Sequence, residues 1–132
     1  MIGLDTNVLA RYIVRDDAKQ AAAATRLIES KCTAETPGFV PQLVLAELFW
    51  VLSRGYGYTK PVLIPVLTKL LNAAELQVEQ SAEAQVALRA YQSGSADFAD
   101  YLIGVRGQTA GCETTFTFDR NAAASNWHQL IE

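Results

Sequence analysis

The sequence predicts an α/β fold: a mainly parallel sheet covered by helices on both faces. Three observations carry this. Four short apolar runs, at residues 2–4, 38–40, 75–79 and 115–118, alternate with longer stretches of helical periodicity. Two of these runs stop at a carboxylate, Asp5 and Asp119, and in an open parallel sheet ligands sit outside the carboxyl ends of the strands. Half of the 132 residues are hydrophobic, enough for a chain of this size to bury about two-thirds of its unfolded surface. No repeat, linker or low-complexity segment interrupts the pattern, so residues 1–132 read as a single domain.

Taken in order, Ile2-Gly3-Leu4 predicts a buried strand, and Val8, Leu9, Tyr12 and Ile13 predict a short helix after Asp5-Thr6-Asn7. Arg15-Asp16-Asp17 is a polar break. Residues 18–30 predict an Ala-rich helix with Ala21, Ala24, Leu27 and Ile28 on one face and Asp17 as its N-cap. Asp16 and Asp17 are thereby accounted for as capping and dipole groups. Residues 31–36 form a loop and 38–40 a second strand, with Pro41 where a helix begins.

Residues 42–53 are apolar nearly throughout, which predicts a helix buried on all sides. Glu47 lies inside it, with Leu43, Val44, Trp50 and Val51 three and four residues away. A carboxylate in such surroundings is costly unless it is paired or binds a cation. A Gly-rich turn at 54–58 precedes a helix capped by Thr59 and running to about residue 73. Residues 75–79 alternate as a strand, with Leu76 and Val78 on one face, and 81–91 form a helix that Ser93-Gly94-Ser95 ends. The next helix, 96–109, opens with Asp97 and holds Asp100 one turn in. A final strand at 115–118 ends in Asp119-Arg120-Asn121, and the tail keeps a short amphipathic remnant packed by Trp127, Leu130 and Ile131.

Composition excludes several classes. A net charge of −3 argues against coating nucleic acid through bulk charge, though not against gripping a few phosphates locally or through metal ions. Two cysteines, Cys32 and Cys112, make no disulfide framework and lack metal-ligand spacing, which reads as free thiols in a reducing cytoplasm. The opening residues do not read as a signal peptide, and no run is long enough to span a bilayer. The one histidine, His128, reads as a surface or packed ring rather than a catalyst, and zinc sites of the His and Cys type are ruled out.

The acidic residues then stand out by position. If the strands are parallel, Asp5 and Asp119 emerge on one edge of the sheet, and the helix after Ser95 starts near it. Three or four carboxylates in one crevice repel each other and partly protonate. A hard divalent cation, Mg²⁺ or Mn²⁺, resolves the conflict through oxygen ligands. Such a site suits phosphodiester cleavage and needs no Ser, Cys or His nucleophile.

Each acid also has a plainer reading. Asp5 is a possible helix N-cap, Asp119 a turn residue, and Glu47 the partner of a buried arginine. Asp97 stands where an acid suits the helix dipole. Asp100, placed deeper, escapes that explanation and is preferred as a ligand. Thr6, Asn7 and Thr117 are candidates for orienting the carboxylates or meeting a phosphate, with turn and capping bonds as the alternative. Arg11, Arg15, Arg106 and Arg120 are candidates for gripping a nucleic-acid backbone, or are solvated charges.

These stretches together resemble the PIN domain. They are Leu4-Asp5-Thr6-Asn7-Val8-Leu9, Ala46-Glu47-Leu48, Ala96-Asp97-Phe98-Ala99-Asp100-Tyr101-Leu102-Ile103 and Thr117-Phe118-Asp119. Within that family they resemble the toxin component of bacterial VapBC toxin–antitoxin pairs, and order and spacing match from Ile2 to Asp119. The resemblance implies a three-layer α/β/α sandwich around a mainly parallel sheet of four to five strands. It implies a Mg²⁺- or Mn²⁺-dependent ribonuclease held in check by an antitoxin protein, and commonly a homodimer. The family acids fall on Asp5, Glu47, Asp100 and Asp119, while Asp97 matches a less constant acid. A competing reading is a catalytically silent module that acts with an antitoxin on operator DNA. A phosphoacceptor receiver domain is discounted, because Asp5 has no adjacent acid and Arg120, not Lys, follows Asp119.

Overall fold

The computed structural model describes residues 1–132 and divides into two compact units, Met1–Ser81 and Ala82–Glu132. Seven α-helices and four strands form, and every strand pairing is parallel, as the sequence predicts.

In the first unit the opening residues make a single parallel bridge, Gly3 to Phe39, rather than a full strand. Helix α1 (Thr6–Val14) packs on α2 (Ala18–Lys31), whose buried residues are Ala21, Ala24 and Ile28. Small alanines let the two helices approach closely. The cap read for α2 is present, with the Asp17 side chain accepting from Gln20 N. Strand β1 (Gly38–Val40) pairs with β2 (Leu76–Val78). Gly38 is required there: a Cβ would lie 2.7 Å from Cys32 Sγ and 2.8 Å from Leu4 Cδ1.

Helix α3 (Gln42–Trp50) follows, and Glu79 just beyond β2 caps it, accepting from Gln42 N at 2.9 Å. The helix differs from expectation in two ways. It buries one face only, through its own Val44, Leu45, Leu48 and Phe49, and leaves Leu43 72% exposed with Glu47 also exposed. An apolar run does not itself dictate full burial, since exposed apolar residues are common. The α-helix also ends at Trp50 and widens into a π-helical turn, Val51–Gly55, where Ser53 Oγ donates back to Phe49 O at 2.8 Å. Helix α4 (Lys60–Asn72) packs on β2 and buries Leu63, Leu67 and Leu70.

The second unit is built on α5 (Ser81–Ser93) and α6 (Phe98–Thr109). Buried Glu83 of α5 accepts from Arg106 Nη1 at 2.6 Å and from the Thr109 hydroxyl, and Tyr91 meets Phe98 edge-on at 6.2 Å. Helix α6 begins two residues later than predicted, so Asp97 is its N-cap and Asp100 belongs to its first turn. Strand β3 (Thr115–Thr117) pairs with β4 (His128–Leu130), a strand the sequence reading missed. Between them lies the short helix α7 (Arg120–Ala123). The run at 115–118 is not buried as a strong apolar strand: Phe116 is 61% and Phe118 77% exposed. Of the tail residues expected to pack, Trp127 and Leu130 are half-buried and Ile131 is exposed.

Candidate active site

Asp5 and Glu47 belong to the first unit. Asp5 is extended (φ −94°, ψ 174°) and caps α1, its Oδ1 accepting from Val8 N at 3.1 Å. The plainer reading of Asp5 as an N-cap is therefore real, and it occupies one carboxylate oxygen. Thr6, the next residue and 8% exposed, donates its hydroxyl to Glu47 Oε1 at 2.6 Å. The start of α1 thus carries one acid and fixes a second across 41 positions of chain. Glu47 is held by this short bond, not by an apolar cage or an arginine. Asn7, next to Thr6 in the chain, is exposed.

Asp97, Asp100 and Asp119 belong to the second unit. Asp97 is exposed, and its carbonyl accepts from Asp100 N at 3.0 Å. Asp119 caps α7, Oδ1 accepting from Asn121 N at 2.8 Å and Ala122 N at 2.9 Å. Its own amide donates to Thr117 Oγ1 at 3.0 Å, so Thr117 orients the segment that carries the acid. Asp100 is half-buried, and burial, then the charges of Asp119 and Asp97, push its carboxyl above the usual value. The first turn of a helix ordinarily favours a carboxylate anion. Here burial and like charge outweigh that dipole, which is the mark of acids crowded into one field.

Two arginines proposed for nucleic acid are engaged elsewhere. Arg11 pairs with Asp16 at 2.8 Å and bonds Gln20 Oε1 and the Tyr56 hydroxyl. Asp17 is the cap of α2, and Asp16 instead bonds Arg11 and Tyr56, which hold its carboxyl below the usual value. Arg106 is paired with Glu83. Arg15 sits at φ 62° and reaches Thr25, while Arg120 is exposed as the first residue of α7.

His128 takes the packed one of the two placements the sequence allowed. Its ring is buried, 9% exposed, and Nδ1 lies 2.6 Å from Ser125 Oγ. Burial holds its pKa below the usual value, against the pull of the Asp100 and Asp119 charges. A lone histidine in a three-residue strand leaves no periodic signal.

The donor chemistry fits a hard divalent cation: every candidate offers carboxylate oxygen, and in the second unit the acids already repel. Within each unit, no three acidic, His or Cys side chains are gathered closely enough to close a coordination shell. A hollow of about 650 Å³ between α1, α2, α4 and β2 holds none of these acids. It is lined by apolar residues such as Leu9, Ile13, Val66 and Leu70 and carries no constellation for chemistry. No helix is long and apolar enough to cross a membrane.

Comparison with known proteins gives two matches. The sequence profile of the PIN domain matches residues 2–125. A VapC ribonuclease of Aquifex aeolicus is 26% identical over 117 residues, which span 89% of this chain and 86% of that protein.

Proposed function

The chain belongs to the PIN domain family, and from that premise we propose that it is a metal-dependent endoribonuclease, the toxin of a toxin–antitoxin pair. The observation that carries the reading is Asp100, half-buried and crowded by Asp119 and Asp97. Such an arrangement costs the metal-free fold and is relieved by a cation. The likeness to a protein named VapC ribonuclease supports the same class of reaction.

In this reading residues 1–132 work as one nuclease domain. Asp5, Glu47, Asp100 and Asp119 supply the metal ligands, with Asp97 as a further acid at the same helix end. A bound Mg²⁺ or Mn²⁺ would neutralise charge developing on the phosphate and make the attacking water more acidic. Thr6 keeps Glu47 in one orientation through its 2.6 Å bond. Thr117 and the two α7 amides do the same for Asp119. Asn7 and Arg120, both exposed, are in this reading the residues that meet the RNA backbone. The cellular partners are an RNA substrate and an antitoxin protein, the working form is a homodimer, and the compartment is the cytoplasm.

The test is cleavage of total cellular RNA by antitoxin-free protein with Mg²⁺, with Mn²⁺ and with chelator, alongside Asp5→Asn. Discrete fragments that require the metal and fall by roughly 10²-fold or more in the variant are expected. Equal, metal-independent behaviour of the two folded proteins would instead favour the silent module acting with an antitoxin on DNA.

A further inference from the structure

We infer that His128 is a positioning residue that fixes the separation of Asp100 and Asp119, an inference that rests on the nuclease reading. The connection runs through three contacts in the second unit. First, the imidazole lies against α6 at Gly104, one turn beyond Asp100. A Cβ on Gly104 would collide with His128 Cε1 and would lie 3.0 Å from Nδ1 and 2.8 Å from Trp127 Cβ. A glycine inside a helix costs about 1 kcal/mol relative to alanine, and here it makes room for the ring. Second, His128 opens β4, opposite Thr115 of β3, and Ile131 N donates to Thr117 O at 2.8 Å. Thr117 in turn accepts from the Asp119 amide. Third, Nδ1 is held by Ser125 Oγ at 2.6 Å, and that oxygen also accepts from Trp127 N at 3.2 Å.

The tautomer follows from the partners. The backbone carbonyl of Asp100 lies near enough to the ring to favour its protonated form, and a carbonyl can only accept. We therefore assign the proton of the neutral ring to Nε2, which leaves Nδ1 to accept from the Ser125 hydroxyl. His128 thus ties the helix turn bearing Asp100 to the strand pair leading to Asp119. It touches neither carboxylate's function directly and acts by holding the two backbones in register. A His that merely fills space would do none of this.

The variants His128→Leu and His128→Gln separate the two roles, because leucine fills the site without a donor while glutamine keeps an N–H near the ring's outer nitrogen. Their Mn²⁺ affinity is read by the free-ion signal in electron paramagnetic resonance, and amide exchange of Asp100 and Tyr101 is read in metal-free protein. His128→Leu should bind Mn²⁺ about 10- to 100-fold more weakly, with His128→Gln within about threefold of native. Gly104→Ala, which keeps the histidine but displaces its ring, should weaken binding as His128→Leu does, and decides the matter if His128→Leu fails to fold. Native affinity in folded His128→Leu, or equal losses in Leu and Gln, would overturn the inference. If the native chain neither binds Mn²⁺ nor cuts RNA, the nuclease reading falls by itself. Amide exchange then decides the clamp: faster in His128→Leu but not His128→Gln supports it, and equal rates overturn it.

Discussion

Asp100→Asn is expected to lower RNA cleavage by roughly 10²- to 10³-fold while leaving the metal-free protein as stable as the native chain, or more so. The two halves of this outcome have one cause. The Asp100 carboxyl is pushed up by burial and by the charges of Asp119 and Asp97. In the metal-free protein its folded pKa therefore lies above the unfolded value, which is about 3.9. Its contribution to stability is fully present below that unfolded value and is lost as pH rises through the folded pKa. At neutral pH the ionised group is a burden that the fold carries for its chemistry. Asparagine removes the charge at nearly constant shape, so the burden goes and the ligand goes with it. Paired measurements of cleavage and of thermal midpoint in chelator, at pH 4 and pH 7, check both halves. A midpoint that drops at neutral pH would mean that Asp100 holds the fold together instead.

Phe98→Ala is the opposite case, with an expected loss of about 3–5 kcal/mol of stability. Phe98 is the first residue of α6, fully buried, and its ring meets Tyr91 of α5 edge-on at 6.2 Å. Deleting the ring removes its transfer free energy and leaves a cavity that two helices cannot close without moving. Against a typical domain stability of 5–15 kcal/mol this is a large fraction. The urea midpoint should fall steeply with little change in slope. An unchanged midpoint would show that α5 and α6 repack around the gap.

What could be read from the sequence depended on how locally each feature is encoded. Asp17 and Asp5 cap helices as their positions suggest, because a cap is decided within three residues of the chain; Asp119, read as a turn residue, caps the short helix α7 that the sequence did not announce. The short apolar run at 38–40 and the alternation at 75–79 are equally local, and their parallel pairing follows from the helices that separate the strands. Glu47 shows the limit. Counting its apolar neighbours along the helix predicted burial, yet Leu43 and Glu47 lie on the open side of α3. Which face a helix covers is settled by its partners, and these lie far away in sequence. For Asp100 the signal was present and misread: Asp97 followed by an acid at the third helical position marks a helix start. Strand β4 and the His128 contact with α6 depend on long-range pairing that three residues cannot announce.

The packing of Gly38 against Cys32 Sγ also gives the molecule a chemical clock. Both cysteines are free, but Cys112 is open to solvent while Cys32 is buried under β1. An alkylating reagent meets the first at any time and reacts at the rate of an open thiol. It reaches the second only when the seam between the end of α2 and β1 opens. The ratio of the two labelling rates, in a single untouched chain, therefore reports the free energy of that opening, with Cys112 as the internal standard.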